Sequence, residues 1–262
     1  MISIFSGTKL TSSRIRGIEM ATYLQAKHNP KEGYKNDVCI YVKPKEMSAI
    51  KDGDWVDFLD SNISLIVQLK DRPKVKVIAA SEASNEALKR VLPNEIILIP
   101  SHHINQEKLK RTRRQISIGG YIGGFSPMYE EIRRGLKKIG FDFVTCFDFK
   151  GRTDAMKLYE SIDLLIIGWW TGDDSPHKIP TKIINAASFG IPSIAYPLRG
   201  YKEIEGFYVS AHNLSEIITE AEKFKDEDYY NRWAKKISKM AEKYHISKIA
   251  KLYKKLKPGF PA

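Results

Sequence analysis

The chain alternates short apolar runs with helix-spaced segments, breaks that pattern once in a basic polar stretch, and then begins it again. Before the break, residues 2–5, 37–42, 64–69, 75–80 and 95–99 read as strands, and residues 14–27 and 85–91 as helices. Around 107–115 almost no apolar residue remains. Afterwards strands are expected at 116–121, 143–147, 164–167, 193–196 and 207–209. Helices are expected at 129–139, 154–161, 182–189 and 214–223, with one or two amphipathic helices over 228–257. Strand–helix alternation builds a parallel sheet covered on both faces. Two rounds of it in 262 residues predict an α/β chain of two domains, 1–112 and 113–240.

Two successive Rossmann-like units facing each other across a cleft account for this pattern. Ligands of open α/β sheets bind beyond the carboxyl ends of the strands. The loops at 6–13, 81–85, 119–127, 148–153, 169–181 and 198–203 are therefore the candidate cleft lining. No run of about 18 apolar residues is present, which excludes a spanning helix. The first ten residues read as a buried strand rather than a signal peptide. Cys39 and Cys146 lie in separate strands without metal-ligand spacing, so reduced thiols, a cytoplasmic protein and no metal are expected.

The formal charge is +12, unevenly placed. Between Lys223 and Lys257 twelve Lys/Arg face four acids, and five bases fall between Lys108 and Arg114. Such patches attract phosphate-rich partners: anionic lipid, nucleic acid or sugar nucleotides.

The densest candidate chemistry runs from Ile167 to Ile204. Pro180-Thr181-Lys182 opens a helix, so unpaired N–H groups and a full positive charge converge there, as a diphosphate requires. Gly123 and Gly124 follow the first strand of the second half, where backbone N–H groups can approach a phosphate. Asn185, Gly200 and Glu203 complete the donor side, Glu203 as an acceptor for ribose hydroxyls. His177 stands in the preceding polar loop as a candidate catalytic or phosphate-contacting group, beside the paired carboxylates Asp173 and Asp174. In the first half Gly7, Lys9, Arg14, Arg16 and His102 are candidates for acceptor or phosphate contacts, Arg14 also as a catalytic cation. No nucleophile elbow, Walker sequence or metal-ligand motif is present.

The turn Gly119–Gly124, the Pro180-Thr-Lys182 helix start with Asn185-Ala-Ala-Ser-Phe-Gly190-Ile-Pro192, and Arg199-Gly200-Tyr-Lys-Glu203 resemble the donor-binding domain of GT-B glycosyltransferases, most similar to the retaining family 4 type. The resemblance is strong over 116–205 and weak over 30–110. It implies a nucleotide-diphosphate sugar as donor, a glycan, lipid-linked or small-molecule hydroxyl acceptor, retention of configuration and no separate cofactor. Lys182 would hold the diphosphate. A last helix, 241–262, would cross back onto the first domain. Two glutamates with seven residues between them commonly flank the lysine in that family; here His177 and Asn185 stand in their places. Rival readings are a nucleotide-sugar epimerase or phosphorylase on the same scaffold, and a basic nucleic-acid-binding module.

Overall fold

The computed structural model describes residues 1–7, 13–59, 63–147, 151–168 and 174–258. The first domain holds a six-stranded sheet: β1 (Ile2–Ser6), β2 (Lys27–His28), β3 (Val38–Val42), β4 (Trp55–Phe58), β5 (Lys76–Ala79) and β6 (Ile96–Leu98). All its pairings are parallel, in the order β2-β1-β3-β4-β5-β6. The second sheet contains β7 (Ile118–Ile122), β8 (Asp142–Cys146), β9 (Leu164–Ile167), β10 (Ser193–Ala195) and β11 (Val209–Ser210). It is also wholly parallel, ordered β11-β10-β9-β7-β8. In both sheets the order reverses beside the first strand, between β1 and β3 and between β7 and β9. Such a reversal opens a crevice at the strands' carboxyl ends.

Helices cover these sheets. In the first domain a π-helical stretch, Arg14–Glu19, runs into α1 (Met20–Leu24), followed by α2 (Ile63–Lys70) and α3 (Glu82–Val91). The second domain carries α4 (Met128–Lys138), α5 (Arg152–Ser161), α6 (Thr181–Ser188), α7 (Leu214–Lys223) and α8 (Glu227–Ala241). Capping follows side-chain chemistry: Ser81, Asn213 and Asp226 accept from backbone N–H groups at the starts of α3, α7 and α8. Gly190, at φ 76°, closes α6 in the left-handed conformation, as its place in the sequence suggests.

Two element assignments are corrected. Residues 64–69, expected as a strand, form α2. Leu65 and Leu69, one turn apart, are buried, while Ile63 and Val67 are exposed, so the apolar run contains a narrow helical face. The strand of that unit is β4, whose Trp-Val-Asp-Phe carries a charge in a fully buried strand. Gly119 and Gly120 lie inside β7, within the strand expected over 116–121, so the candidate loop starts at Gly123 and not at Gly119. A Cβ at Gly120 would come within 2.5 Å of Ile162, and one at Gly119 within 3.0 Å of Ile166. Their absent side chains admit close packing against the sheet.

The chain crosses between domains twice, side by side. Residues 99–117 lead out of the first domain, and α9 (Ile246–Tyr253) returns to it after α8. Ile246, Ile249, Ala250 and Tyr253 of α9 pack with Ile4, Met20, Val38 and Ile78 in one core. Each large apolar side chain buried there contributes about 1.5–3 kcal/mol. The basic linker is exposed along much of its length but anchored at one buried acid. Asp163, fully buried, accepts from Arg111 Nε at 2.7 Å, Arg113 Nε at 3.0 Å and the Ser117 and Ile118 N–H groups at 2.8 Å. Lys108 pairs with Glu242 at 2.9 Å. Two of the five linker cations, Arg111 and Arg113, thus serve the fold, while the Lys108 pair is solvent-exposed.

Candidate functional site

The site begins with α6. Thr181 and Lys182 occupy its first turn, where the backbone N–H groups have no helical partners. The Thr181 Oγ1 is buried with no hydrogen-bond partner among the described residues. Lys182 reaches sideways across the β7–β9 reversal. Its Nζ donates to the Tyr121 hydroxyl at 3.0 Å and lies 4.5 Å from the centre of that ring. A Cβ placed on Gly123 would meet Lys182 Nζ at 2.6 Å. The ammonium therefore sits directly over the glycine turn, with Gly124 beside it facing open space. Gly123, at φ 145°, is the position where this turn needs a residue without a side chain.

Tyr121 carries no signal in the sequence, because an aromatic residue in a strand ordinarily marks core. It stacks on Tyr129 with ring centroids 3.9 Å apart, and it is largely buried. Burial and the neighbouring Tyr121 push the Tyr129 phenol well above its ordinary value, so that group stays protonated. The pair forms a rigid seat for the ammonium, and cation–π attraction holds the charge in place.

Arg14, from the first domain, packs against Gly151 at the start of α5, where a Cβ would come within 3.1 Å of its guanidinium. It thus spans the cleft. Gly7 is exposed just after β1, with open space where a Cβ would stand. Lys9 and Asp173 lie outside the described residues, as do Trp169 and Trp170. Asp174 accepts from the Arg199 N–H at 2.8 Å, which ties the polar loop to the segment after β10. Among the described residues no group of three or more His, Cys, Asp or Glu is placed to hold a metal ion.

Arg16 and His102, expected at the acceptor side, point inward instead. Arg16 is 1% exposed; its Nε donates to Asp57 Oδ2 at 2.7 Å and Nη1 to Ser101 at 3.3 Å. The buried acid on β4 captures the guanidinium, and Tyr253 of α9 donates to the same carboxylate at 3.4 Å. Burial pushes the Asp57 carboxyl up, against the pull of Arg16. The His102 ring nitrogens face the His103 and Ile15 carbonyls, each at 2.9 Å. Those carbonyls favour the charged ring, but burial outweighs them and lowers the group to about 4.

His177, Asn185 and Glu203 are drawn into contacts between the domains. His177 Nδ1 lies 2.9 Å from Ser84 Oγ on α3, and its ring meets Phe58 edge-on at 5.0 Å. Asn185 Oδ1 accepts from the Ile104 N–H of the linker at 3.1 Å. Glu203 Oε2 accepts from the Glu82 N–H at the start of α3 at 2.8 Å, and burial raises its carboxyl above the ordinary value. Lys202 pairs with Glu86 at 3.2 Å beside it. Gly200 is required sterically, since a Cβ there would lie 1.8 Å from the Lys178 carbonyl oxygen.

No protein-family model matches the sequence, and no curated protein sequence matches it. Solved structures do match the fold. The Anabaena Alr3699/HepE structure, in complex with UDP and glucose, is 12% identical, with TM-score 0.66 over 97% of this chain and 98% of that one. An S. aureus TarM variant in complex with Fondaparinux, alpha-GlcNAc-glycerol and UDP is 16% identical, with TM-score 0.60 over 83% of this chain and 55% of its own. AviGT4, a glycosyltransferase involved in avilamycin A biosynthesis, is 10% identical, with TM-score 0.51 over 97% and 96%. The chain thus spans almost the full length of HepE and AviGT4 and about half of TarM. With the two parallel sheets, these likenesses establish the GT-B architecture: two Rossmann-like domains facing each other across a cleft.

Proposed function

We propose that the protein is a glycosyltransferase that moves a sugar from a nucleotide diphosphate to a hydroxyl acceptor. The observation that carries this reading is Lys182 Nζ poised over the Gly123 turn at the β7–β9 reversal. A diphosphate seated there meets the ammonium, the N–H groups of the α6 start and the Thr181 hydroxyl. Arg14 stands across the cleft. When the glycosyl–oxygen bond breaks, negative charge grows on the leaving diphosphate, and fixed cations and N–H dipoles stabilise it. HepE was solved with UDP-glucose, and UDP accompanies TarM, which supports a uridine nucleotide as the first donor class to try.

The family 4 resemblance supports retention of configuration. His177 and Asn185 bridge the domains here, so the sugar end of the donor is held by other groups than a glutamate pair. The excess of lysines over 223–257 suits peripheral contact with an anionic membrane on the cytoplasmic side, as a lipid-linked acceptor would require. Among the described residues no helix is long and apolar enough to cross a membrane. Thermal-shift measurements with UDP, GDP, ADP and TDP test the donor site, because specific binding stabilises the folded state. Stabilisation by one of them that disappears in Lys182→Ala is expected; a shift unchanged by that substitution would overturn the assignment.

A further inference from the structure

A cavity of about 430 Å³ opens between the domains, away from Lys182. Its first-domain wall is a single face of α3: Ala83, Glu86, Ala87 and Arg90 recur at helical spacing, and the two alanines leave room. Its second-domain wall is the stretch from Pro197 to Tyr208, together with Pro176. The volume lies within the range of small-molecule sites, about 300–1,000 Å³. Neither Thr181, Lys182 nor Gly123 borders it.

The chemistry of the walls is particular. Pro176, Pro197, Leu198, Tyr201 and Tyr208 supply a rigid apolar floor, and the two tyrosine rings meet edge to face at 6.0 Å. Around it stand three cations, Arg90, Arg199 and Lys202, and three anions, Glu86, Asp174 and Glu205. Lys202 is paired with Glu86 across the cleft. A rim balanced in charge does not select a phosphate or a polyanion, which needs a net positive field. It offers both donors and acceptors, with guanidinium and carboxylate forks that match neighbouring hydroxyls. Apolar C–H faces against rings and prolines, with hydroxyls toward charged forks, is the demand of a pyranose.

We propose that this cavity seats a neutral saccharide of one or two rings, at a site separate from the diphosphate seat. Occupancy by a saccharide does not rest on the reading of the protein as a glycosyltransferase. Pro176 and Lys202 are the immediate neighbours of His177 and Glu203, which clasp the start of α3. The cavity therefore takes its shape from the same domain contacts, and a sugar in it touches both domains at once.

Saturation-transfer NMR on the full chain, with maltose, cellobiose and N-acetylglucosamine as probes, reads occupancy directly. A parallel thermal shift with UDP reads the diphosphate site. At least one sugar is expected to bind. Ala87→Trp, which fills the cavity, should abolish its signal. The rim pair Arg90→Ala with Glu205→Ala should weaken binding about tenfold, as lost hydrogen bonds to charged groups do. The UDP shift should stay unchanged in both. The rim pair decides the question if the tryptophan variant fails to fold. The proposal is overturned if no probe binds the wild type, if the sugar signal survives both variants, or if inorganic phosphate displaces it. Loss of the UDP shift alone, with a variant-sensitive sugar signal, would remove the transferase reading and leave the saccharide site standing.

Discussion

Arg16 and Lys182 are both cations near the start of a helix that follows a parallel strand, yet the fold gives them opposite roles. Arg16 meets a carboxylate buried in the next strand but one, and its guanidinium turns into the core. Lys182 instead finds the face and hydroxyl of Tyr121, which hold an ammonium without neutralising it. The helix-start cation beside an aromatic ring keeps its charge available to a ligand, whereas the one beside a buried acid is spent on the fold. The difference lies in what a nearby strand presents, not in the basic residue itself.

The most severe challenge to that contrast is Arg16→Met. It strands Asp57 in the core, and a loss of about 3–5 kcal/mol of stability is expected. Chemical denaturation checks this, and adding Asp57→Leu should recover most of the loss. An Arg16→Met protein as stable as the wild type would show that the pair is not structural. Lys182→Ala should do the reverse, lowering sugar transfer about 10²–10³-fold while the melting temperature barely moves. Coupled loss of both would mean that Lys182 is a folding residue.

Smaller effects refine the contrast. His102 and His103 are held at about 4 and about 3 by burial, against an ordinary 6.5. A histidine kept neutral when folded contributes stability that is complete above about pH 6.5 and is lost as pH falls toward the folded values. Each can therefore cost up to about 1.4 kcal/mol per pH unit on acidification. Thermal melts between pH 7 and 5 should show the decline, and His103→Phe should flatten it; an unchanged slope would show that His103 does not carry its share. Least in size, Tyr121→Phe keeps the ring and removes the hydroxyl, for roughly a fivefold loss in kcat and little change in donor KM. A large rise in KM with kcat preserved would place Tyr121 in ground-state binding instead.

Periodicity alone makes most of the architecture readable. The strand Leu164–Ile167 and the helix Leu214–Lys223 fall where spacing places them. Residues 63–70 mislead because Ile, Leu and Val fill the run, and only burial separates Leu65 and Leu69 from the rest. Lys182 with Gly123 is legible because helix starts and glycine turns carry local signals. Tyr121 is not, since its value depends on a lysine 61 residues later in the chain. Arg16 and His102 mislead for the same reason: Asp57 and the Ile15 carbonyl are partners that no local pattern announces.

The return of α9 to the first domain has a consequence for synthesis. Ile246, Ile249, Ala250 and Tyr253 complete a core whose other members begin at Ile4. That core therefore joins segments made at different times, Ile4 before the second sheet and Ile246 after it. The second sheet, whose strands span only residues 118–210, can be assembled while the first still lacks a wall. Of the two sheets, the one begun first is thus the later to be closed, because its last wall follows the whole of the second sheet in the order of synthesis.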